Sequence, residues 1–353
     1  MSDDQTRQIQ SRVNEAVENK SALNIQAGNS KHFYGRKVEA ALLDMSGHTG
    51  IISYQPTELV ITARAGTRLN DINEALKTQH QMLAFEPPGF SETATLGGTI
   101  ACNLSGPRRA YSGAARDYVL GCTLINGKAE VLKFGGEVMK NVAGYDASRL
   151  MCGAMGTLGV LLDISLKVLP VPEAEITLVQ QLNVQQALDT LHQWARSSLP
   201  ISANCYDGEQ LYIRLSGSES AISTAKQTLG GETLKNGHAF WNELKEQQHD
   251  FFKTDKPLWR LSLASTTAPL KLGGDTLIEW GGALRWLKSD DAADKIRHQL
   301  EKTGASASLF RNASPSAEPF HELSPGLLKI HQQLKQAFDP LNIFNPARMY
   351  SGI

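Results

Sequence analysis

Pro87-Pro88-Gly89-Phe90-Ser91-Glu92-Thr93-Ala94-Thr95-Leu96-Gly97-Gly98-Thr99-Ile100-Ala101-Cys102-Asn103-Leu104-Ser105-Gly106 is the stretch on which the fold of this chain turns. It is made almost wholly of proline, glycine, hydroxyl-bearing and small residues. A loop of this length inside a compact domain is either functional or unstructured. Flexible loops rarely carry apolar residues at four-residue spacing, and Leu96, Ile100 and Leu104 do so here, which predicts a short helix lying on a core. Small side chains let a ligand rest on the main chain, while Ser and Thr hydroxyls add donors for phosphate oxygens. The N-terminus of that helix faces the loop and adds its dipole to an anion site.

Working upstream, Ala27-Gly28-Asn29-Ser30-Lys31 follows a predicted strand over 24–27 and is closed by Gly35. Glycine and small polar residues let successive N–H groups point inward as an anion-binding nest, with Lys31 as a point charge. Read alone, such a loop is more often a plain strand-to-helix turn. No Walker A pattern occurs in the chain. Downstream, residues 140–150 and then Gly153-Ala154-Met155-Gly156-Thr157-Leu158-Gly159-Val160 read as a helix and a tight turn into a strand. The spacing G-x-x-G-x-x-G differs from the dinucleotide fingerprint, and no acidic residue follows on cue. Beside the other two segments, this one forms a third backbone wall.

Ile9, Val13 and Val17 predict an opening amphipathic helix, and not a secretory signal. Strands are expected over 41–44, 59–65, 118–125, 129–134 and 159–169. Leu69, Ile72, Ala75, Leu76 and Leu83 keep a helical beat. Beyond Pro172 the texture changes to strand 176–182, helix 184–196, strands 203–206 and 211–215, and helix 219–229, the order of a split βαβ layer. Strands over 258–263 and 276–287, the latter interrupted at Gly281-Gly282, a helix over 292–302 and a strand over 306–311 extend it. A tail helix from 324 to near 338 leads into Asp339-Pro340 and Asn345-Pro346 turns.

The 353 residues suffice for two domains, and 35 Lys and Arg against 36 Asp and Glu leave no global field for nucleic acid or an anionic membrane. The most apolar stretch, 158–164, is far too short for a membrane span and contains Asp163. Cys102, Cys122, Cys152 and Cys205 stand far apart without a C-x-x-C, which argues against an iron–sulfur or structural zinc site and for buried free thiols. No histidine lies two or four residues from another, so no local metal site is expected.

In the order given, and with Leu43-Asp44-Met45-Ser46 ahead of Gly50-Ile51, Arg116-Asp117-Tyr118-Val119-Leu120-Gly121, and Phe338-Asp339-Pro340-Leu341-Asn342-Ile343-Phe344-Asn345-Pro346-Ala347-Arg348-Met349, these segments resemble the FAD-binding domain of the vanillyl-alcohol-oxidase / PCMH superfamily. Over essentially the whole chain they resemble the FAD-binding E subunits of bacterial glycolate oxidases. The resemblance implies an α+β protein: a PCMH-type FAD-binding domain of two α/β subdomains over 1–172, a ferredoxin-like antiparallel cap or substrate domain over 173–320, and a segment 321–353 returning to the first. It implies that the FAD pyrophosphate is wrapped by Gly28, Asn29, Ser30 and Lys31 and by Pro88, Gly89, Thr93, Ala94, Thr95, Gly97, Gly98, Ala101, Asn103, Ser105 and Gly106. Gly156, Thr157, Gly159 and Val160 would lie beside the adenosine half, and Asn345 and Arg348 would close the domain. Many relatives carry a histidine in an R-G-G-G-H-type first loop that can bond to the flavin. Gly28-Asn29-Ser30 has none, and His32 falls outside the matching position, so the FAD is expected to be non-covalent.

The implied reaction is oxidation of glycolate, a small 2-hydroxy acid, to glyoxylate in the cytoplasm. Electrons would pass through flavin to an iron–sulfur subunit, beside a sister FAD-binding oxidase subunit, with membrane association only through that complex. A cap arginine opposite the flavin would grip the carboxylate, and Arg260 and Arg285 are the candidates, with Glu279 and Arg285 on one face of strand 276–287. Surface arginines at a solvated sheet edge are the plain alternative. Trp241, Phe251, Phe252, Trp280 and Trp286 read as core. Relatives that oxidise 2-hydroxy acids themselves carry an H-x-H metal motif in the cap, absent here, so the substrate is expected to be oxidised on the sister subunit. A flavin-bearing structural or electron-relay subunit, or a stand-alone oxidase of another small alcohol or acid, are the alternatives.

Overall fold

The computed structural model describes residues 3–136, 146–312 and 317–353; the segment 140–145 of the third wall lies outside them. The chain divides into two compact units, one of Met1–Ser105, Ala114–Pro170 and Glu322–Ile353, the other of Gly106–Gly113 and Val171–His321.

In the first unit, five antiparallel strands run in the order Ile51–Gln55, Val60–Arg64, Val160–Lys167, Val119–Ile125 and Val131–Gly135. The central strand alternates with period two, and Val160, Leu162, Ile164 and Leu166 are all fully buried. Val160 and Leu162 join Ile9 and Val13 of the helix Thr6–Asn19 in one core cluster. Ile164 and Leu166 join Leu69, Ile72 and Leu76 of the helix Leu69–Lys77 in another. That helix stops short of Leu83, because the chain turns into Gln81–Met82, which pairs with Leu169–Pro170; Leu83 stays buried all the same. A second, parallel pair, Leu23–Gln26 with Ala41–Asp44, supplies the other subdomain, and Phe344 bridges to Leu23 from the C-terminal segment.

The second unit is built on one antiparallel sheet of eight strands, Glu232–Thr233, Ala174–Gln181, Gln210–Gly217, Ile201–Tyr206, Asp275–Glu279, Leu284–Lys288, Leu258–Ser262 and Ser306–Arg311. The first four strands, with helices Val184–Trp194 and Glu219–Leu229, place the fourth beside the first, then the third, then the second, which is the ferredoxin-like split βαβ order. The last four repeat that order in mirror sequence along the sheet, with a loop where the first crossover helix would be.

Two expectations are corrected here. The strand expected over 276–287 with an interruption at Gly281-Gly282 is indeed broken there, but as a hairpin turn, in which Trp280, Gly281 and Gly282 all have positive φ. Its register pairs Ile278 with Arg285 and Glu279 with Leu284, so Glu279 and Arg285 lie on opposite faces. The first domain is also not continuous over 1–172, since Gly106–Gly113 belongs to the second unit. The Trp280 indole donates to the Gly106 carbonyl at 3.0 Å, and Arg108 donates to Glu175 at 2.9 Å and to Ser216 at 3.3 Å. Nothing in the spacing of 106–113 announces those distant partners.

Candidate functional site

A cavity of about 480 Å³ opens in the first unit, within the range of small-molecule and cofactor sites. Its walls are Asn24 to His32, then Gly35, Lys37 and Val38, then Thr95, Gly98, Ala101 and Cys102, and finally Met155, Asn345 and Arg348. A smaller void of about 80 Å³ shares seven of these residues and adds Met45, Ala65, Gly97, Gly156, Gly159 and Leu161.

The first wall is a strand end turning through Asn29, whose φ of 52° is left-handed. Among the described residues, none accepts from the backbone N–H of Gly28, Asn29 or Ser30, which leaves three successive donors for an anion. Gly28 has to be glycine: a Cβ there would sit 1.5 Å from the Thr93 carbonyl oxygen, and the Thr93 hydroxyl donates to the Gly28 carbonyl at 2.5 Å. Buried Lys31 donates to the Gly89 carbonyl and the Ser30 hydroxyl, each at 3.3 Å, so its ammonium ties the first loop to the second.

The second wall is the helix Leu96–Cys102. Its N-cap Thr95 accepts from the Gly98 N–H at 3.3 Å, so part of the expected dipole site is taken by the chain itself. The glycine pair divides its work. A Cβ on Gly97 would press on Ala65, 2.8 Å from its Cβ and 3.0 Å from its carbonyl oxygen, whereas a Cβ on Gly98 would meet only the Thr95 hydroxyl at 3.3 Å. Gly97 therefore packs the helix on the sheet, and Gly98 keeps the cavity open.

The third wall joins Met155 and Gly156 to the C-terminal segment. Asn345 donates to the Met155 carbonyl and accepts from the Ile25 N–H, both at 2.7 Å. Arg348 donates to the carbonyls of Arg36 and Tyr34 at 2.7 Å, holding the 32–36 turn, and burial lowers its pKa.

Of the expected residues, Gly28, Asn29, Ser30, Lys31, Thr95, Gly97, Gly98, Ala101, Gly156, Gly159, Asn345 and Arg348 line these spaces. Pro88, Gly89, Thr93, Ala94, Asn103, Ser105, Gly106, Thr157 and Val160 do not. Gly89 and Thr93 brace the first loop from behind, Asn103 is the left-handed cap of the helix, and the Ser105 hydroxyl accepts from the Ala115 N–H. Thr157 bonds to the Ala154 carbonyl, Ala94 and Val160 are core, and Gly106 lies in the second unit.

Sequence reasoning missed Met155, Val38, Cys102 and His32. His32, though it falls outside the position that matches the relatives' first-loop histidine, lines the cavity. Cys102 is likewise more than a bland thiol, since it faces the same space, and burial raises its pKa. The available signal for Met155 was its place between Gly153 and Gly156, in a turn where all three have positive φ.

In the second unit, Arg285 is 1% exposed. Its guanidinium donates to the carbonyls of Ala268 (2.8 Å), Gly282 (3.3 Å) and Thr267, and burial lowers its pKa to about 10. The expected carboxylate grip is thus replaced by a loop staple. Arg260 is half-buried, with its guanidinium 5.2 Å from the Trp280 ring centre, and Arg109 lies 4.4 Å from the same ring. No carboxylate pairs with Arg260 among the described residues. Among those residues no cluster of His, Cys, Asp or Glu could hold a metal, and no helix is long and apolar enough to cross a membrane.

Three open amides and a helix face kept bare by Gly98 fit the phosphates and flat rings of a dinucleotide. The family profile described as "FAD binding domain" matches residues 4–135. The solved structure of alkyldihydroxyacetonephosphate synthase superposes with a TM-score of 0.68, covering 96% of this chain and 75% of that one at 16% identity. The chain is an FAD-binding flavoprotein. Glycolate oxidase subunit GlcE of Escherichia coli (strain K12) is 48% identical over 350 residues, 99% of each chain. D-lactate dehydrogenase of Anaerostipes hadrus and glycolate oxidase subunit GlcD of Bacillus subtilis (strain 168) are each 32% identical, over 43% and 40% of this chain, which spans about a third of their lengths. The chain belongs to the GlcE family of glycolate oxidase subunits.

Proposed function

We propose that this chain is the FAD-binding subunit of a cytoplasmic glycolate oxidase complex that converts glycolate to glyoxylate and passes electrons to an iron–sulfur subunit. The observation that carries this reading is the end-to-end likeness, 48% identity with 99% of both chains aligned. The amides of Gly28, Asn29 and Ser30 would hold the pyrophosphate, and Gly98, Gly156, Gly159 and Asn345 would bound the space beside it. FAD, when bound, supplies the hydride chemistry, while the protein supplies position and electrostatics.

Because Arg285 is spent on backbone carbonyls, Arg260 is the remaining carboxylate anchor proposed in this chain. That favours a division of labour in which the substrate is oxidised mainly on a sister FAD subunit and this subunit supports assembly or relays electrons. Two measurements test the reading. Acid or heat precipitation is expected to release all flavin as free FAD; flavin left in the pellet would point to His32 at the cavity rim and refute non-covalent binding. Anaerobic stopped-flow mixing of the isolated, FAD-loaded chain with glycolate is expected to leave the flavin band unbleached, with bleaching only once sister subunits are added. Bleaching of the isolated chain at a catalytically useful rate would overturn the division of labour.

A further inference from the structure

The C-terminal helix Pro325–Phe338 has a single buried side chain, and it is a lysine. Lys335 is 6% exposed, and its ammonium donates to the Thr157 carbonyl and the Asp339 carboxylate, both at 2.7 Å, and to the Phe344 carbonyl at 2.9 Å. Asp339, 1% exposed, also accepts from the N–H groups of Ile343 (3.0 Å) and Phe344 (2.8 Å).

Lys335 lies in the last turn of the helix, where a cation suits the macrodipole, but neither it nor Asp339 is placed where burial alone would put a charge. A carboxylate at a helix C-terminus opposes the macrodipole, and an ion pair taken out of water pays desolvation that only good geometry and full hydrogen bonding offset. All three ammonium donors are satisfied here, and two of them reach the two chain segments that make the third wall. Thr157 follows Met155 and Gly156, and Phe344 precedes Asn345. Asn345 itself reaches back to the Met155 carbonyl. Lys335 and Asn345 are thus two rungs between the same pair of segments, one behind the cavity wall and one on it. Both segments need such a hold: Met155, Asn342, Asn345 and Ala347 all have positive φ, and conformations of that kind in residues other than glycine persist only when their surroundings over-determine them.

We infer that Lys335, with Asp339, is a positioning residue for the dinucleotide, setting the gap between 155–157 and 344–345 without lining the cavity. This inference rests on the reading of that cavity as the FAD site.

The test uses the full chain, stripped of flavin and titrated with FAD by quenching of flavin fluorescence, well below the melting temperature of each protein. Wild type must bind FAD; failure there sinks the cavity reading and this inference with it. Lys335→Met is expected to keep native circular dichroism and to raise the FAD dissociation constant about ten- to a hundred-fold, the equilibrium counterpart of losing one charge-assisted hydrogen bond. The thermal shift that saturating FAD confers should shrink in step, which a merely structural lysine would not cause. Asp339→Asn keeps the acceptor geometry and is expected to show a smaller rise. It serves as the deciding variant should Lys335→Met fail to fold. A folded variant with a wild-type dissociation constant overturns the proposal.

Discussion

Buried cations occur in both units, and they do the same local work with different consequences. Arg285 in the second unit gives its fork to the carbonyls of Thr267, Ala268 and Gly282. In the first, the Lys31 ammonium donates to Gly89, and the fork of half-buried Arg348 donates to Arg36 and Tyr34. Each staples a loop. In the first unit the stapled loops are themselves the walls of a cavity, so the cations act on a ligand through the backbone they hold. Arg285 holds a loop of its own unit. Each of these three cations therefore marks a fixed loop, and what that loop lines decides whether function follows.

The largest effect should come from the side of the comparison where no cation takes part. Gly98→Val puts a branched side chain into the cavity while its Cβ meets only the Thr95 hydroxyl. FAD affinity should fall at least about a hundred-fold, equivalent to about 2.7 kcal/mol, with near-native circular dichroism. Full flavin occupancy in this variant would show that the 87–106 stretch is not the cradle. Its neighbour gives the contrast. Gly97→Ala drives a Cβ against the Ala65 backbone and should destabilise the flavin-free chain by about 1–3 kcal/mol, the range for overpacking. Equal effects of the two substitutions on apo stability would erase the division of labour within the pair.

The next effect separates the two arginines. Arg285→Met strips three carbonyls of their donor and leaves a loop unstapled, which should cost about 3 kcal/mol and lower Tm by about 6–12 °C. Arg260→Gln loses one contact over an indole and should stay within about 1 kcal/mol of wild type. Differential scanning calorimetry of both variants decides the matter; matching Tm values would mean that Arg285 is no staple.

How much of this was legible follows from which interactions are local. Leu96 and Ile100 announce their helix because a four-residue period is a property of one segment, and the alternation of Val160–Lys167 announces its strand for the same reason. Gly28 and Gly98 were readable as a cradle because small side chains mean close approach wherever they sit. That Gly97 packs on Ala65, that Gly106–Gly113 crosses to the second unit, and that Arg285 spends its fork on 267–268 all depend on partners distant in sequence. The misplacement of Arg285 beside Glu279 has a sharper cause. Six residues along one strand return to the same face, but the turn at Trp280–Gly282 folds the run back on itself, and the antiparallel register reverses the parity.

The smallest effect tests the comparison at its exposed limit. Asp4 accepts from the Thr6 N–H at 3.0 Å and pairs with Arg64 at 3.2 Å, and these hold its carboxyl down to about 2 from an ordinary 3.8. Its side chain is 58% exposed, so water screens the pair and the stabilisation is slight. The sign is nonetheless fixed. A carboxyl with a depressed folded-state pKa stabilises the fold above its unfolded pKa, and that contribution is lost as pH falls toward the folded value. Asp4→Asn should therefore melt slightly below wild type at pH 5, and the gap should close between about pH 4 and pH 2. Thermal melts of both proteins at those pH values read it directly. A gap that stays constant down to pH 2 would mean that Asp4 acts through shape and not charge, and that charges in this unit matter only where burial makes them hold a loop.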